Sequence, residues 1–101
     1  MNCDPELLFP LRAVIDPELG INIVDLGLVY EAHREGALAR VRMTMTTPAC
    51  PMGPYLTDEV RAALTTMVGG IDDVEVDLVF EPRWSPAQMT EDARRTLGIP
   101  E

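Results

Sequence analysis

Cys50 sits between Pro48 and Pro51, in the segment Thr46-Thr47-Pro48-Ala49-Cys50-Pro51-Met52, where a strand pattern gives way to a helical one. Unpaired amide groups and the positive dipole end at the mouth of a helix stabilise a thiolate, drawing its pKa below the free value of about 8.5. A thiolate ligates metal and attacks electrophiles, and the two prolines would hold the sulfur in place. The competing account is that a lone cysteine serves as a small buried hydrophobe. Spacing alone leaves the two open.

A second set of chemically able residues lies in the loop DPELGINIVDLG over residues 16–27. Asp16, Glu18 and Asp25 could ligate iron or zinc, or orient another ligand. Asp is also a turn former and Glu a solvated surface residue, so each has a structural explanation as well. Asp25, flanked by Val24 and Leu26, needs a partner if it is partly buried. His33 is expected to be exposed near a hairpin tip. Trp84 is expected to pack the last helix onto the sheet, with its indole N–H as the one polar group. Cys3 belongs to a terminus expected to fray.

The elements that must position these groups follow closely along the chain. Asp4 can cap a first helix, Pro5 fits its first position and Glu6 suits its positive end. Leu7, Leu8, Leu11, Val14 and Ile15 recur at helical spacing, and Asp16-Pro17 ends the run. The loop that follows carries Ile21, Ile23, Val24 and Leu26, which predicts that it packs down on the body of the domain. Residues 28–34 read as a strand with Leu28, Tyr30 and Ala32 on one face. Glu35-Gly36 makes a tight turn. In residues 37–46, Ala39, Val41, Met43 and Met45 alternate with Arg40, Arg42, Thr44 and Thr46, the period of a sheet with one wet face. Residues 52–68 form a helix with a stripe of Leu56, Val60, Leu64 and Met67, stopped by Gly69-Gly70. Val74, Val76, Leu78 and Phe80 alternate with acids and one valine in a third strand. That helix, about 24 Å long, can carry the chain back along a strand of about 25 Å, so strands two and three should run parallel. Ser85, Pro86 and Gln88 make a capping box for a last helix, Thr90 offers a second start, and Gly98 ends it. The order helix, strand, strand, helix, strand, helix predicts a single two-layer α/β domain over residues 1–101, a three-stranded sheet with helices on one face.

Composition narrows the partners. The net charge is −9 and the eight basic residues are all Arg. Nucleic acid and anionic membrane surfaces are disfavoured, because the chain has no basic run to neutralise phosphates. No apolar run approaches the roughly 20 residues of a membrane span, and the N-terminus lacks the form of a secretory signal. A cytoplasmic protein is expected, and with it no disulfide between Cys3 and Cys50.

DPELGINIVDLGLVY (residues 16–30), TTPACPM (46–52) and WSPAQMTEDARRTLGI (84–99) together resemble the small iron–sulfur cluster assembly domain family. That family includes SufT-type maturation factors, PaaD-type accessory proteins and cytosolic iron–sulfur targeting proteins. The resemblance spans nearly the whole chain, in one order. It implies an α/β fold in which the acidic loop lies beside the cysteine turn. By it Asp16, Pro17, Glu18, Asp25, Thr46, Thr47, Cys50, Pro51 and Trp84 fall on family positions, with Cys50 as the reactive cysteine. The cysteine-rich C-terminal segment of PaaD-type proteins has no counterpart here, which favours a generic maturation role over an accessory subunit of an oxygenase system.

An iron–sulfur cluster takes four protein ligands, usually thiolates. One well-placed thiolate per chain predicts no tightly bound cluster. It predicts instead transient handling of iron or a nascent cluster, bridged across a homodimer or shared with a partner. The expected partners are iron–sulfur assembly proteins or client apoproteins. The alternative is a non-catalytic adaptor, with the loop and Cys50 as a docking surface. An enzyme with Cys50 as nucleophile would need a nearby base, and His33 is the only histidine.

Overall fold

The computed structural model describes residues 2–46 and 53–98, which leaves Thr47, Cys50 and Pro51 outside the described residues. The strands are β1 (Asn2–Cys3), β2 (Ile15–Asp16), β3 (Ile21–Asn22), β4 (Val29–Glu35), β5 (Leu38–Met43) and β6 (Asp73–Leu78). The helices are α1 (Pro5–Leu11), α2 (Gly53–Met67) and α3 (Glu91–Leu97), with a 3-10 turn at Pro86–Gln88. The main sheet has the order β1-β4-β5-β6, and β2 and β3 form a separate small ladder. The α/β order is as expected, but the sheet gains a fourth strand. Cys3 does not fray: β1 pairs in parallel with β4, Cys3 against Ala32.

α1 is shorter than its apolar spacing suggests. Pro10 lies inside it and supplies no N–H, and the helix closes at Leu11 in tight turns, with the Ala13 and Val14 amides donating to the Pro10 and Leu11 carbonyls at 3.0 and 3.1 Å. Leu7, Leu11 and Val14 are buried, whereas Ile15 passes into β2 and is exposed. The Asp4 side chain does not cap the helix; its Oδ2 accepts the Arg34 amide at 2.8 Å, which ties the start of α1 to β4.

β4 and β5 are an antiparallel hairpin in which Glu35 pairs with Leu38, so the turn centres on Gly36 and Ala37, with Gly36 at φ 60. A bulge between Val29 and Glu31 breaks the alternation in β4. One extra residue re-aims the side chains beyond it. Leu28, Val29 and Ala32 are therefore buried and Tyr30 is not. β5 keeps its alternation: Ala39, Val41 and Met43 face the core, Arg40 and Arg42 face water. Just past it the pattern fails, for Thr44, expected on the wet face, is fully buried. α2 carries the chain back so that β6 runs parallel to β5 and directly beside it. Leu56, Val60 and Leu64 form its buried stripe, while Met67 and Phe80, both expected inside, are exposed. α1 and α2 pack on each other and on β4 and β6, leaving the opposite sheet face open.

The chain after β6 is tied to the loop before β4. The capping box at Ser85 forms, but the helix expected from it is broken: Met89 is extended, and α3 starts afresh at Thr90, whose hydroxyl accepts the Ala93 amide at 3.2 Å. Trp84 donates its indole N–H to the Leu26 carbonyl at 2.7 Å, and the Thr90 amide donates to the Asp25 carbonyl at 2.8 Å. Gly27 is pressed against the Gln88 backbone so closely that a Cβ would collide with it, and its φ of 77 is one that side chains resist.

Candidate functional site

The acidic loop is a folded object. Its first half is a small hairpin, in which Ile15 pairs with Asn22 and Asp16 with Ile21. Asp16 is only 2 % exposed, and its Oδ1 accepts the Glu18 amide at 2.8 Å and the Leu19 amide at 3.4 Å. Its carbonyl accepts the Gly20 amide at 2.7 Å, with Gly20 at φ 71. An aspartate that captures the amides two and three residues on is a turn-forming device, and here it shapes the tip carrying Glu18. Glu18 itself is exposed.

The second half coils from Asn22 to Leu28. The Asn22 side chain accepts the Asp25 amide at 2.9 Å and donates to Asp25 Oδ2 at 3.0 Å. The other oxygen of Asp25 faces Arg12 Nε at 4.0 Å, from the end of α1. Half-buried Asp25 thus has the partners that its apolar neighbours require.

Two backbone hydrogen bonds then close the loop on itself, and a third ties its end to the chain just past β5. The Ile23 amide donates to the Val14 carbonyl at 3.0 Å, the Leu28 amide to Ile23 at 3.0 Å, and the Thr44 amide to Leu28 at 2.8 Å. The segment leading to Cys50 therefore leaves the sheet beside the folded acidic loop. Thr46 stands half-buried on that segment. Thr44 beneath it is fully buried, and its hydroxyl has no hydrogen-bond partner among the described residues. Thr47 and Cys50 lie beyond the described residues, so Asp16, Asp25 and Thr46 are the expected site residues whose surroundings are in view, with Glu18 at the loop tip.

Read by sequence, Arg12 and Asn22 have no role at the site, and Thr44 falls on the wet face of the sheet. Asn22 had a readable signal, an amide side chain three residues before an aspartate in a turn-rich stretch. Arg12 and Thr44 had none, since both act through tertiary placement.

Other reactive groups lie elsewhere. His33 is half-buried in β4 opposite Arg40, about 13 Å of strand away from Thr44. Cys3 is half-buried and unpaired, and burial pushes its thiol above the ordinary range, so it is a poor nucleophile. A shallow concavity of about 780 Å3 on the open sheet face is lined by Glu31, His33, Arg40, Arg42, Glu75 and Asp77 among others, and by none of the acidic-loop residues. The charges in it are largely paired with one another, Arg40 with Glu35 and Glu75, Arg42 with Glu31 and Asp77, at 3.2 to 3.7 Å. Among the described residues no group of three or more His, Cys, Asp or Glu is arranged to hold a metal ion, and no helix is long and apolar enough to cross a membrane.

A family model described as "Iron-sulfur cluster assembly protein" matches residues 6–78. The chain is similar to the Fe-S protein maturation auxiliary factor SufT of Staphylococcus aureus, with 44 % identity over 87 residues, 85 % of this chain and 98 % of that one. It is 42 % identical over 90 residues to the auxiliary factor YitW of Bacillus subtilis, covering 88 % and 87 % of the two chains. Its fold matches the crystal structure of a "Domain of Unknown Function DUF59" from Bacillus anthracis, with a TM-score of 0.87, 43 % identity, and 93 % and 90 % of the chains covered.

Proposed function

The chain belongs to the iron–sulfur cluster assembly protein family, and from that premise we propose that it is a maturation accessory factor that handles iron or a nascent cluster through Cys50. The observation that supports this reading is the run of backbone bonds from Val14 through Ile23 and Leu28 to Thr44, which sets the chain at Thr44, six residues before Cys50, against the end of the acidic loop. Sulfur would supply the soft ligand and the loop carboxylates the hard ones, a set suited to iron. Within that loop the roles divide. Asp16 is a positioning residue, since two backbone amides already occupy one of its oxygens. Exposed Glu18 at the tip is the carboxylate assigned to assist the thiolate; half-buried Asp25, whose two oxygens face Asn22 and Arg12, would join it by giving up one of those partners, and Thr46 and Thr47 would add the polar groups of the cysteine segment.

One thiolate cannot complete a cluster's coordination. The cargo is therefore shared, with a second copy or with an assembly protein or client apoprotein, and is handed on rather than kept. His33, the one histidine, lies well back on β4, and the similarity to proteins named maturation auxiliary factors favours a carrier or adaptor over thiol catalysis.

Anaerobic reconstitution of the wild type and Cys50→Ala with iron and sulfide, followed by visible absorption and metal analysis, tests the reading. The wild type is expected to acquire iron and Cys50→Ala to lose most of it. Equal uptake by both would remove the cysteine from the mechanism, and client capture that survives in Cys50→Ala would reassign the protein as an adaptor.

A further inference from the structure

β6 is the outer strand of the main sheet, with no neighbour on its far side among the described residues. In a parallel ladder, alternate residues aim both backbone groups at the partner strand and the others aim them away. The Val79 amide reaches the Met43 carbonyl at 2.8 Å and the Asp73 amide reaches Ala37 at 3.3 Å, so the odd-numbered residues of β6 face β5. Val74, Val76 and Leu78 therefore face outward. Val74 is already covered: its amide donates to Asp73 Oδ1 at 2.9 Å and its carbonyl accepts Arg61 Nε at 3.4 Å. Val76 and Leu78 have no such cover among the described residues. Beside this bare backbone stand the half-buried side chains of Val76 and Leu78 on one face and the carboxylates of Glu75 and Asp77 on the other, with Phe80 exposed just beyond.

A bare edge of this kind accepts an added strand. A second copy is a poor occupant: Arg40 and Arg42 are each shared between two acids, Glu35 with Glu75 and Glu31 with Asp77, so the row with Asp73 stays net negative, and antiparallel pairing of two β6 edges would set it against itself, where like charges destabilise. We infer that the edge of β6 at Val76 and Leu78 binds an extended segment of a partner protein, with basic side chains over Glu75 and Asp77 and apolar ones over Val76 and Leu78. Leu78 pairs with Met43, so the added strand ends level with the end of β5 that leads to Cys50, with β6 between them, about 10 Å away. The inference rests on the maturation role only in taking that partner to be a client apoprotein.

The probe is a peptide of about ten residues, one strand's length, alternating arginine and valine. Two further forms have every second amide N-methylated, in one phase or the other. Each is titrated into the 15N-labelled full-length chain. The parent peptide is expected to shift the Val76 and Leu78 amides, and one N-methylated phase to bind about tenfold more weakly than the other. Val76→Pro removes an outward donor while the ladder bonds of Glu75 and Asp77 remain, so it is expected to stay folded and lose a similar factor. If Val76→Pro fails to fold, the comparison of the two methylated phases decides alone. Cys50→Ala should bind the peptide as the wild type does, so failure of the metal-handling reading would leave this result standing. Binding indifferent to methylation phase would reduce the effect to net charge and overturn the inference. So would no binding, or dimerisation through β6 by sedimentation in place of peptide binding.

Discussion

The open face of the sheet and the acidic loop use the same side chains in opposite ways. On the open face, carboxylate meets guanidinium: Arg40 and Arg42 stand on the middle strand, each between acids from its two neighbours, and all these side chains are at least a third exposed. In the loop, carboxylate meets backbone: Asp16 is sealed from water and holds two amides, and Asp25 is held by Asn22. Exposed ion pairs exchange one well-solvated state for another and contribute little. A buried carboxylate accepting amides has no such substitute, because removing it strands donors away from water. The acidity of the chain is thus two different things, a solvated coat on one face and a structural device beside the candidate site.

The first way to break that contrast is to detach the loop. Gly27→Ala would place a Cβ into the Gln88 backbone and force a side chain onto a φ of 77. Strain and overpacking together predict a loss of about 3 kcal/mol or more in urea unfolding. Because Gly27 adjoins Leu26, whose carbonyl takes the Trp84 indole, a red-shift of the Trp84 fluorescence as the indole meets water should accompany it. Native-like stability in Gly27→Ala would mean that the loop is not docked on residues 84–90.

Next in size is the carboxylate itself. Asp16→Ala leaves the Glu18 and Leu19 amides without their acceptor and should cost about 2 kcal/mol. Asp16→Asn keeps an oxygen in the same place and should cost less than half of that. If Asp16 only positions the tip, Asp16→Asn takes up iron as the wild type does. A stable Asp16→Asn that no longer takes up iron would make the charge, and so Asp16 as a ligand, the point of the residue.

How much of this could be read beforehand divides along a physical line. Features written in neighbouring residues were legible: the alternation of Ala39, Val41 and Met43, the stripe of Leu56, Val60 and Leu64, the capping box at Ser85, and the glycine that ends α3. The parallel direction of β5 and β6 followed from element lengths, though not that the two are neighbours. What escaped depends on distant partners or on one residue breaking a period. The two-residue strand β1 is defined only by β4, and the bulge at Val29 turns Val29 inward against its pattern. Thr44 is buried because the loop covers it through Leu28, and Pro10 closes α1 early within an otherwise helical run. The candidate site was half legible. Asp16, Glu18 and Asp25 could be picked out as chemistry, but the division between a carboxylate that shapes and one that faces outward appears only when the amides around them are placed.

The smallest expected effect is the sharpest discriminator between the two regions. Arg42→Met removes the guanidinium shared by Glu31 and Asp77, at 3.3 and 3.7 Å, while keeping an unbranched apolar stem against the sheet. With Arg42 about half exposed, the loss should be within about 1 kcal/mol at low ionic strength. The loss is electrostatic at a wet surface, where salt at about 1 M shortens the screening length to roughly 3 Å. The difference between Arg42→Met and the wild type should therefore shrink toward zero as salt rises. The deficit of Asp16→Ala should not, because its donors are buried and no counter-ion reaches them. Measured side by side in urea across a salt series, the two variants should give one converging pair of curves and one parallel pair. If Arg42→Met kept its full deficit at high salt, the open face would be held by packing of the arginine stem and not by charge, and the contrast drawn between the two regions would fail.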